Sequence, residues 1–584
     1  MRAHTHMLLI AILSVTYLGG CPAGNSTSFT LDGLPALHVR APYLSQLEVS
    51  GTDQEVEFAV TAGRLPFGLQ LEPDGRLHGV PIAVQQAAFT ITASSTSGSG
   101  QWVADSALTV SDPDGMRLLV EELPVAAPDQ AYSHTFTTVG GTPSSWGLLR
   151  VRTFSAAAAE PNQPPPSSDD IPAWLSLNPA TGLLSGTAPV DEQLILLLVE
   201  ATQGNDSAQE TYALRIPGRA YEHRENIDGP CGHWYMNPGA NPEQHQGSGE
   251  FSDYRFWVET SRDQITGNLW GHAIVHETLV KRPDLRALAS ENIVSVTEHI
   301  WDNEMKLIDL DGLTTNYGMM SGYGFDGFDP YVVGTTLANG MNAIMLINWF
   351  QMTSQIAADE GTRQDFAERL QDLISDQENP EPGREFEHSY LDILEDSYAY
   401  AAYPPGDYFV NMKWYNAHMA FSSFFHAVRR AEDPGLRQTL LDAFSNILWE
   451  DVEPMESGCD KPELRRARRE FNPHFSWQYL AAYGDRDPEV IFEALSQMMY
   501  WLAIPRTDYI IVNPLNVETV PGQPGWACEV LPVHVRPQSS NYLWHRDPYR
   551  HTGGNDTPGR EDGGGDGFVP YWMGRYFGFV PSNI

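Results

Sequence analysis

The rhythm of apolar and polar positions changes twice along the chain. From Met7 to Tyr17 it is almost continuously apolar. From about Ser28 to Asp112, and again to about residue 218, apolar residues alternate with polar ones in short runs cut by Gly, Pro, Ser and Asp. That is the period-2 pattern of half-buried strands in antiparallel sandwiches. From about Tyr221 apolar residues recur at helical spacing, over 266–280, 285–308, 334–357, 365–374, 410–430, 436–449 and 488–502. Asp284, Asp433-Pro434 and Asp487-Pro488 read as helix starts. The pattern predicts a multidomain chain: all-β sandwiches over 28–112 and 113–218, then an all-α region over 221–584. Paired helices joined by aromatic-rich loops fit an α/α toroid. An α-solenoid is the alternative, although no fixed short period is visible.

The two β segments repeat each other. Leu65-Pro66-Phe67-Gly68-Leu69-Gln70-Leu71 is followed by Asp74-Gly75-Arg76-Leu77-His78-Gly79-Val80-Pro81. About a hundred residues on, Ile171-Pro172-Ala173-Trp174-Leu175-Ser176-Leu177 is followed by Thr181-Gly182-Leu183-Leu184-Ser185-Gly186-Thr187-Ala188-Pro189. Leu69 with Leu71, and Leu175 with Leu177, share one face of a strand. The Gly pair makes a tight turn, Leu77 and Leu183 return to the core, and Gly-x-Pro ends the hairpin. Ala88–Ala93 and Leu194–Val199 supply the following core strands. This string resembles the immunoglobulin-like, cadherin-like repeat of bacterial surface proteins. The second copy departs from it, with Trp174 in place of the Gly, one extra residue before Pro189, and an Ala- and Pro-rich insertion at 156–170 that reads as an exposed loop. The resemblance implies stalks or binding modules. Some relatives bind calcium, but no Asp-rich cluster of that kind is present, so the expectation is no cofactor, with calcium open for the β modules alone.

The apolar start is too short to span a bilayer and ends at Leu18-Gly19-Gly20-Cys21. It resembles the lipobox of bacterial lipoproteins. The resemblance implies that residues 1–20 are a signal peptide, that Cys21 is the lipidation site, and that the chain is extracytoplasmic, anchored by lipid at an outer membrane or cell surface. No later apolar run approaches bilayer length.

Net charge is −40, from 75 acidic and 35 basic residues. Such a surface repels nucleic acid and anionic lipid headgroups, so no nucleic-acid partner is expected, and it suits neutral glycans, cationic partners, bound divalent cations or a salty medium. Of four Cys, lipidation of Cys21 leaves Cys231, Cys459 and Cys528. Two of these can pair, and the sequence does not choose which.

Candidate chemistry gathers in the helical region. Trp257–Gln264 leads to Trp270-Gly271-His272, where Arg262, Asp263 and Gln264 form either a helix cap or a polar site. In Asn411–Phe421, Tyr415 and His418 share a helix face and Asn416 is close in sequence. A Tyr–Asn–His set is what uronate-cleaving lyases use: Asn neutralises a carboxylate, and His or Tyr moves a proton. The plainer reading makes His418 a core histidine. Near the C-terminus lie Arg536, His545 and Arg546, then Pro570-Tyr571-Trp572-Met573-Gly574-Arg575-Tyr576. Those aromatics can stack on sugars and Arg575 can hold a carboxylate; alternatively this is a closing helix with Arg575 on an acid. His272 and His276 are spaced i, i+4 but lack the Glu of a His-Glu-x-x-His site, so no metal is expected. No carboxylate pair at a readable spacing marks a hydrolase.

The Ser261–Gln264, Asn416–Phe421 and Pro570–Tyr576 strings together resemble a group of bacterial secreted proteins with no assigned activity. The expected function is a lipid-anchored surface protein whose helical region acts on polysaccharide as a lyase or glycoside hydrolase. His418, Tyr415 and Asp263 would be catalytic. Arg262, Gln264, Trp270, Asn416, His545, Arg546 and Arg575 would bind substrate. The alternative is a non-catalytic adhesin or glycan-binding protein.

Overall fold

The computed structural model describes most of residues 29–217. Beyond them it describes 244–246, 255–257, 262–322 with gaps at 281 and 309–311, 340–375, 389–396, 414–450, 467–501, short pieces between 511 and 553, and 565–581.

Each β segment is a sandwich. In the first, Leu37–His38, Gln101–Ser111, Gln85–Ser95 and Val56–Gly63 form one sheet in that order, and Tyr43–Gln46, Arg76–Gly79 and Leu69–Leu71 form the other. In the second, Ser167–Ser168, Ser145–Ser155, Gln193–Gln203 and Asp206–Ile216 face Leu175–Leu177, Leu183–Thr187 and Ala131–Thr135. The repeated hairpins form as expected. Gly75 holds φ +89, and a Cβ there would lie 2.8 Å from the Phe58 ring, so the turn requires Gly. One expectation needs correction. Leu77 pairs with Leu71 and is fully buried, but in the second hairpin Leu184, not Leu183, pairs with Leu177 and is fully buried. The second turn is one residue longer, and with a side-chain period of 2 one residue exchanges the faces.

The helical region comprises α1 (Arg262–Thr278), α2 (Pro283–Asp302), α3 (Gly340–Ile356), α4 (Glu360–Ile374), α5 (Tyr390–Asp396), α6 (Trp414–Arg430), α7 (Pro434–Phe444), α8 (Pro473–Tyr483), α9 (Pro488–Trp501) and α10 (Gly565–Tyr576). Helices α1–α2, α3–α4, α6–α7 and α8–α9 are sequential neighbours in contact, while α3, α6 and α8 pack side by side. Gly340–Thr353 and Pro473–Ala482 are buried all round, which makes α3 and α8 interior helices. Asp433 caps α7 through Leu436 N at 2.7 Å, and Asp487 accepts from Val490 N at 3.2 Å, as the Asp-Pro signals predict. The predicted helix over 285–308 stops at Asp302. Glu304 and Met305 adopt φ of 52° and 58°, and Lys306–Ile308 pairs instead with Thr314–Met319.

The sandwiches are not separate beads. Phe67, Ile82 and Ala83 of the first and Phe154, Leu194, Leu196, Leu198 and Ala213 of the second join the same core cluster as the helices. The six-residue apolar run of 194–199 explains itself here. Ile195, Leu197 and Val199 fill the sandwich while Leu194, Leu196 and Leu198 face the helical side. Ion pairs frame this junction: Arg486 with Glu210 at 2.9 Å, Arg152 with Glu493 at 3.0 Å and Arg286 with Glu72 at 2.9 Å.

Candidate functional site

Helices α1, α6 and α8 bring imidazoles together. Asn472-Pro473 starts α8: Pro473 needs no backbone donor at the first helical position, and Asn472 Oδ1 accepts from His474 N at 3.0 Å. This cap is itself held, because Asn472 Nδ2 donates to Glu470 Oε1 at 3.1 Å and Glu470 is ion-paired to Arg536 at 3.4 Å, with both side chains essentially out of water. One helical step on, His474 Nε2 lies 2.9 Å from His418 Nε2 of α6 and 2.7 Å from Gln478 Nε2. The Trp270 ring of α1 meets His474 at 6.1 Å in a T-shaped contact and His426 at 6.5 Å.

The chemistry of this pair follows from its donors. An amide NH2 only donates, so His474 Nε2 accepts and carries no proton. That nitrogen has one lone pair, so the His418 Nε2–H at 2.9 Å shares it with the Gln478 amide in a three-centre bond. Rotating the Gln478 amide by half a turn, an assignment the hydrogen-bond network decides, reverses the direction: the single His474 Nε2–H is shared between Gln478 Oε1 and His418 Nε2. His474 is buried and His418 partly exposed, so the exchangeable side of the pair faces outward. Nearby His426 is fully buried. Burial, then Arg430 and Arg429, pushes it well below the usual histidine range, so it is neutral.

The other expected residues distribute as follows. Tyr415 and Asn416 lie in the first turn of α6 and Asp263 in the first turn of α1; their side chains fall outside the described residues, as do His545, Arg546 and Cys21. Arg262 is turned inward, its Nη1 donating to Met319 O at 3.3 Å and Asn342 Oδ1 at 3.5 Å. Gln264 is exposed on α1. Arg575 donates to Val580 O at 3.3 Å and lies 3.7 Å from Glu122 of the second sandwich. His272 has both ring nitrogens engaged, Nδ1 at 2.9 Å from Asn268 O and Nε2 at 3.0 Å from Asn292 Nδ2, which fixes its proton on Nδ1. Among the described residues no group of three His, Cys, Asp or Glu could hold a metal ion. Cys528 is disulfide-bonded, and its partner lies outside the described residues. His474 and Gln478 escape the sequence reading because α8 has no polar face. Asn472-Pro473 and the i, i+4 spacing of His474 and Gln478 are the signals that point to them.

A cleft of about 1010 Å³ opens where the first sandwich meets α1, α2, α6 and α7. Burial would raise the Glu72 carboxyl, but hydrogen bonds from His78 and Arg286 override it and hold it at about 2. Burial, then the charges of Arg430 and Arg286, lowers His276 to about 4. Glu277 takes two bonds from Arg429, at 2.6 and 3.0 Å, which outweigh its burial and keep it ionised.

On helix α10, Phe568, Trp572 and Tyr576 follow one another at four-residue steps and are 61%, 62% and 43% exposed. They form one aromatic strip, while Pro570, Met573, Gly574 and Phe577 face inward.

Residues 121–217, the second sandwich, match a family model described as "Putative Ig domain". Solved structures similar to the chain include an endo-fucoidan hydrolase from glycoside hydrolase family 107, at 14% identity over 33% of this chain and 28% of that one, with a TM-score of 0.14. Drosophila N-cadherin EC1-4 is similar at 9% identity over 33% and 51%, TM-score 0.15. The protocadherin GammaB4 extracellular domain is similar at 15% identity over 33% and 35%, TM-score 0.15. The chain thus spans 28% to 51% of the length of these structures, and likenesses at such scores carry no argument about activity. A comparison with curated proteins finds no match. Among the described residues no helix is long and apolar enough to cross a membrane.

Proposed function

We propose that this is a lipid-anchored surface protein whose helical region, a toroid of paired helices, acts on glycans while packed on two immunoglobulin-like modules. The observation that carries the catalytic reading is the His418–His474 pair. A partly exposed imidazole, hydrogen-bonded at 2.9 Å to a buried one whose own backbone is pinned by Asn472, is a proton-transfer group with a fixed orientation. In this reading His418 takes or gives the proton, His474 and Gln478 set its tautomer, Tyr415 and Asp263 assist from the first turns of their helices, and Asn416 contacts a polar substituent. Lyase and hydrolase chemistry both need such a group.

A second reading, non-catalytic glycan binding, is favoured by the aromatic strip of α10. Three exposed aromatic faces in a row suit stacking on pyranose rings and need no proton transfer.

The test is to supply acidic and neutral polysaccharides to the purified full chain and follow new unsaturation and new reducing ends. Turnover that falls by about a hundredfold or more in His418→Ala, the usual scale for a lost general acid or base, with folding and glycan binding retained, supports the enzyme. Binding that is lost in Trp572→Ala, with no turnover on any glycan, supports the binder. The anchor is tested separately. Cys21→Ser should move the protein from the membrane fraction to the soluble fraction, and a mutant that stays with membranes refutes the lipid anchor.

A further inference from the structure

The floor of the cleft between the first sandwich and the helices carries cations the fold does not use up. Its other arginines are matched: Arg429 to Glu277, Arg286 to Glu72 and Arg76 to Glu432. Arg430 and Arg437 are not. Arg430 donates only through Nη1, to Gln355 Oε1 at 3.4 Å, and Arg437 only through Nη2, to Ala482 O at 2.9 Å. Neither has a carboxylate within ion-pair distance among the described residues. The Nε of each is buried without an acceptor. Arg437 is 7% exposed, and both residues line the cleft. Burial depresses both guanidinium pKa values, Glu277 opposes the shift for Arg430, and both remain charged at any physiological pH. The unmatched acids that line the cleft, Asp74, Glu291, Glu298 and Asp359, are all exposed and form its rim. Pro42 and the exposed Leu44 of the sandwich supply an apolar edge.

In a chain of net charge −40, a partly buried Arg430 and a buried Arg437, neither within ion-pair distance of a carboxylate among the described residues, line a cleft suited to an anion. We propose that this cleft binds the carboxylate of an acidic saccharide, with Arg430 Nη2 as the carboxylate donor, Arg437 adding positive charge to the same lining, and the exposed edge of Pro42 and Leu44 against the sugar. This rests on the glycan reading and adds a ligand class and a second site to it. The acidic rim and the overall charge disfavour a dense polyanion, while screening over about 8 Å at physiological salt leaves a single buried carboxylate free to pair. A uronate-bearing oligosaccharide fits these terms better than a heavily sulfated polymer.

The test is calorimetric titration of the full chain with short oligogalacturonate, with its methyl ester, and with acetate and sulfate as small-anion probes. Esterification and Arg430→Gln should each weaken oligogalacturonate binding about tenfold to a hundredfold, the scale of one charge-assisted bond. Arg430→Lys should recover part of it. Thermal melting separates this from a structural role. Arg430→Gln should melt no lower than the parent without ligand, and oligogalacturonate should raise the melting temperature of the parent only. Oligogalacturonate or neutral-glycan binding that is unchanged in Arg430→Gln and in Arg437→Gln overturns this site and leaves the glycan reading standing. Binding of acetate and sulfate alone overturns the saccharide ligand. Binding of no probe overturns the site altogether.

Discussion

Two residues of the cleft contribute to how the protein responds to acid. His276 is lowered from 6.5 to about 4, so between those values the unfolded chain binds a proton that the folded chain refuses. Stability is therefore lost as pH falls from 6.5 towards 4. Glu72 is lowered from 4.5 to about 2, so the unfolded chain again takes the proton first, and the stabilisation present above pH 4.5 is lost as pH falls through 2. Each shift corresponds to about 3 kcal/mol at most, by linkage. The melting temperature should thus fall in two stages on acidification. His276→Asn should shrink the first, which His276 shares with the buried His426, and Glu72→Gln should shrink the second, which Glu72 shares with Glu277. A variant whose curve runs parallel to the parent in its own window refutes the assignment for that residue.

Helix α8 is the element on which the candidate site most depends, and its cap can be tested. Asn472→Ala removes the acceptor for His474 N and Phe475 N and one donor to a fully buried Glu470. A lost cap costs about 1 to 2 kcal/mol and an under-satisfied buried carboxylate adds to that. Denaturant unfolding of Asn472→Ala should show at least the cap loss, and turnover should fall through His474, whose backbone the cap positions. A stable variant with unaltered activity would remove Asn472 from the argument. This helix also marks the limit of sequence reading. Helices α2, α6 and α9 were legible because apolar and polar residue types recur in them at helical spacing, whether or not the polar ones reach solvent. In α8 the polar side chains His474, Ser476 and Gln478 point inward with the apolar ones, so no period survives. Of the candidate site, His418 and Trp270 were legible as residues, but their meeting with His474 was not. The overrun of α2 has a related cause: Met305, in the left-handed turn, and Leu307, in the strand after it, are both buried, and their apolar side chains do not interrupt a run read as helix. The strand of 194–199 shows the converse. Its six consecutive apolar residues, beside the alternating Ala88–Ala93 of the first module, distinguish the sheet covered on both faces from the one that is not.

At the scale of the whole molecule, the modules act as a bracket on the helices, and the Pro570–Tyr576 string is where the bracket closes. After α10 the chain turns through Gly578 at φ +73, with Phe579 N and Val580 N both donating to Gly574 O, at 2.8 and 3.0 Å. A Cβ on Gly578 would lie 2.2 Å from Phe67 of the first sandwich. The glycine is therefore required twice, by its backbone conformation and by the docked ring. Gly204 separates the two demands, because it holds a similar φ of +64 in a hairpin turn with nothing within 4 Å of its Cβ position. Gly204→Ala should cost about 1 kcal/mol, the left-handed backbone alone. Gly578→Ala should cost about 1 to 3 kcal/mol more, because Phe67 must leave its contact or the chain end must move. Denaturant midpoints of the two variants against the parent measure the difference. If the two glycines cost the same, Phe67 does not hold the sandwich to the helices. If Gly578→Ala instead splits a single unfolding transition into two, the contact is what makes module and helices unfold together.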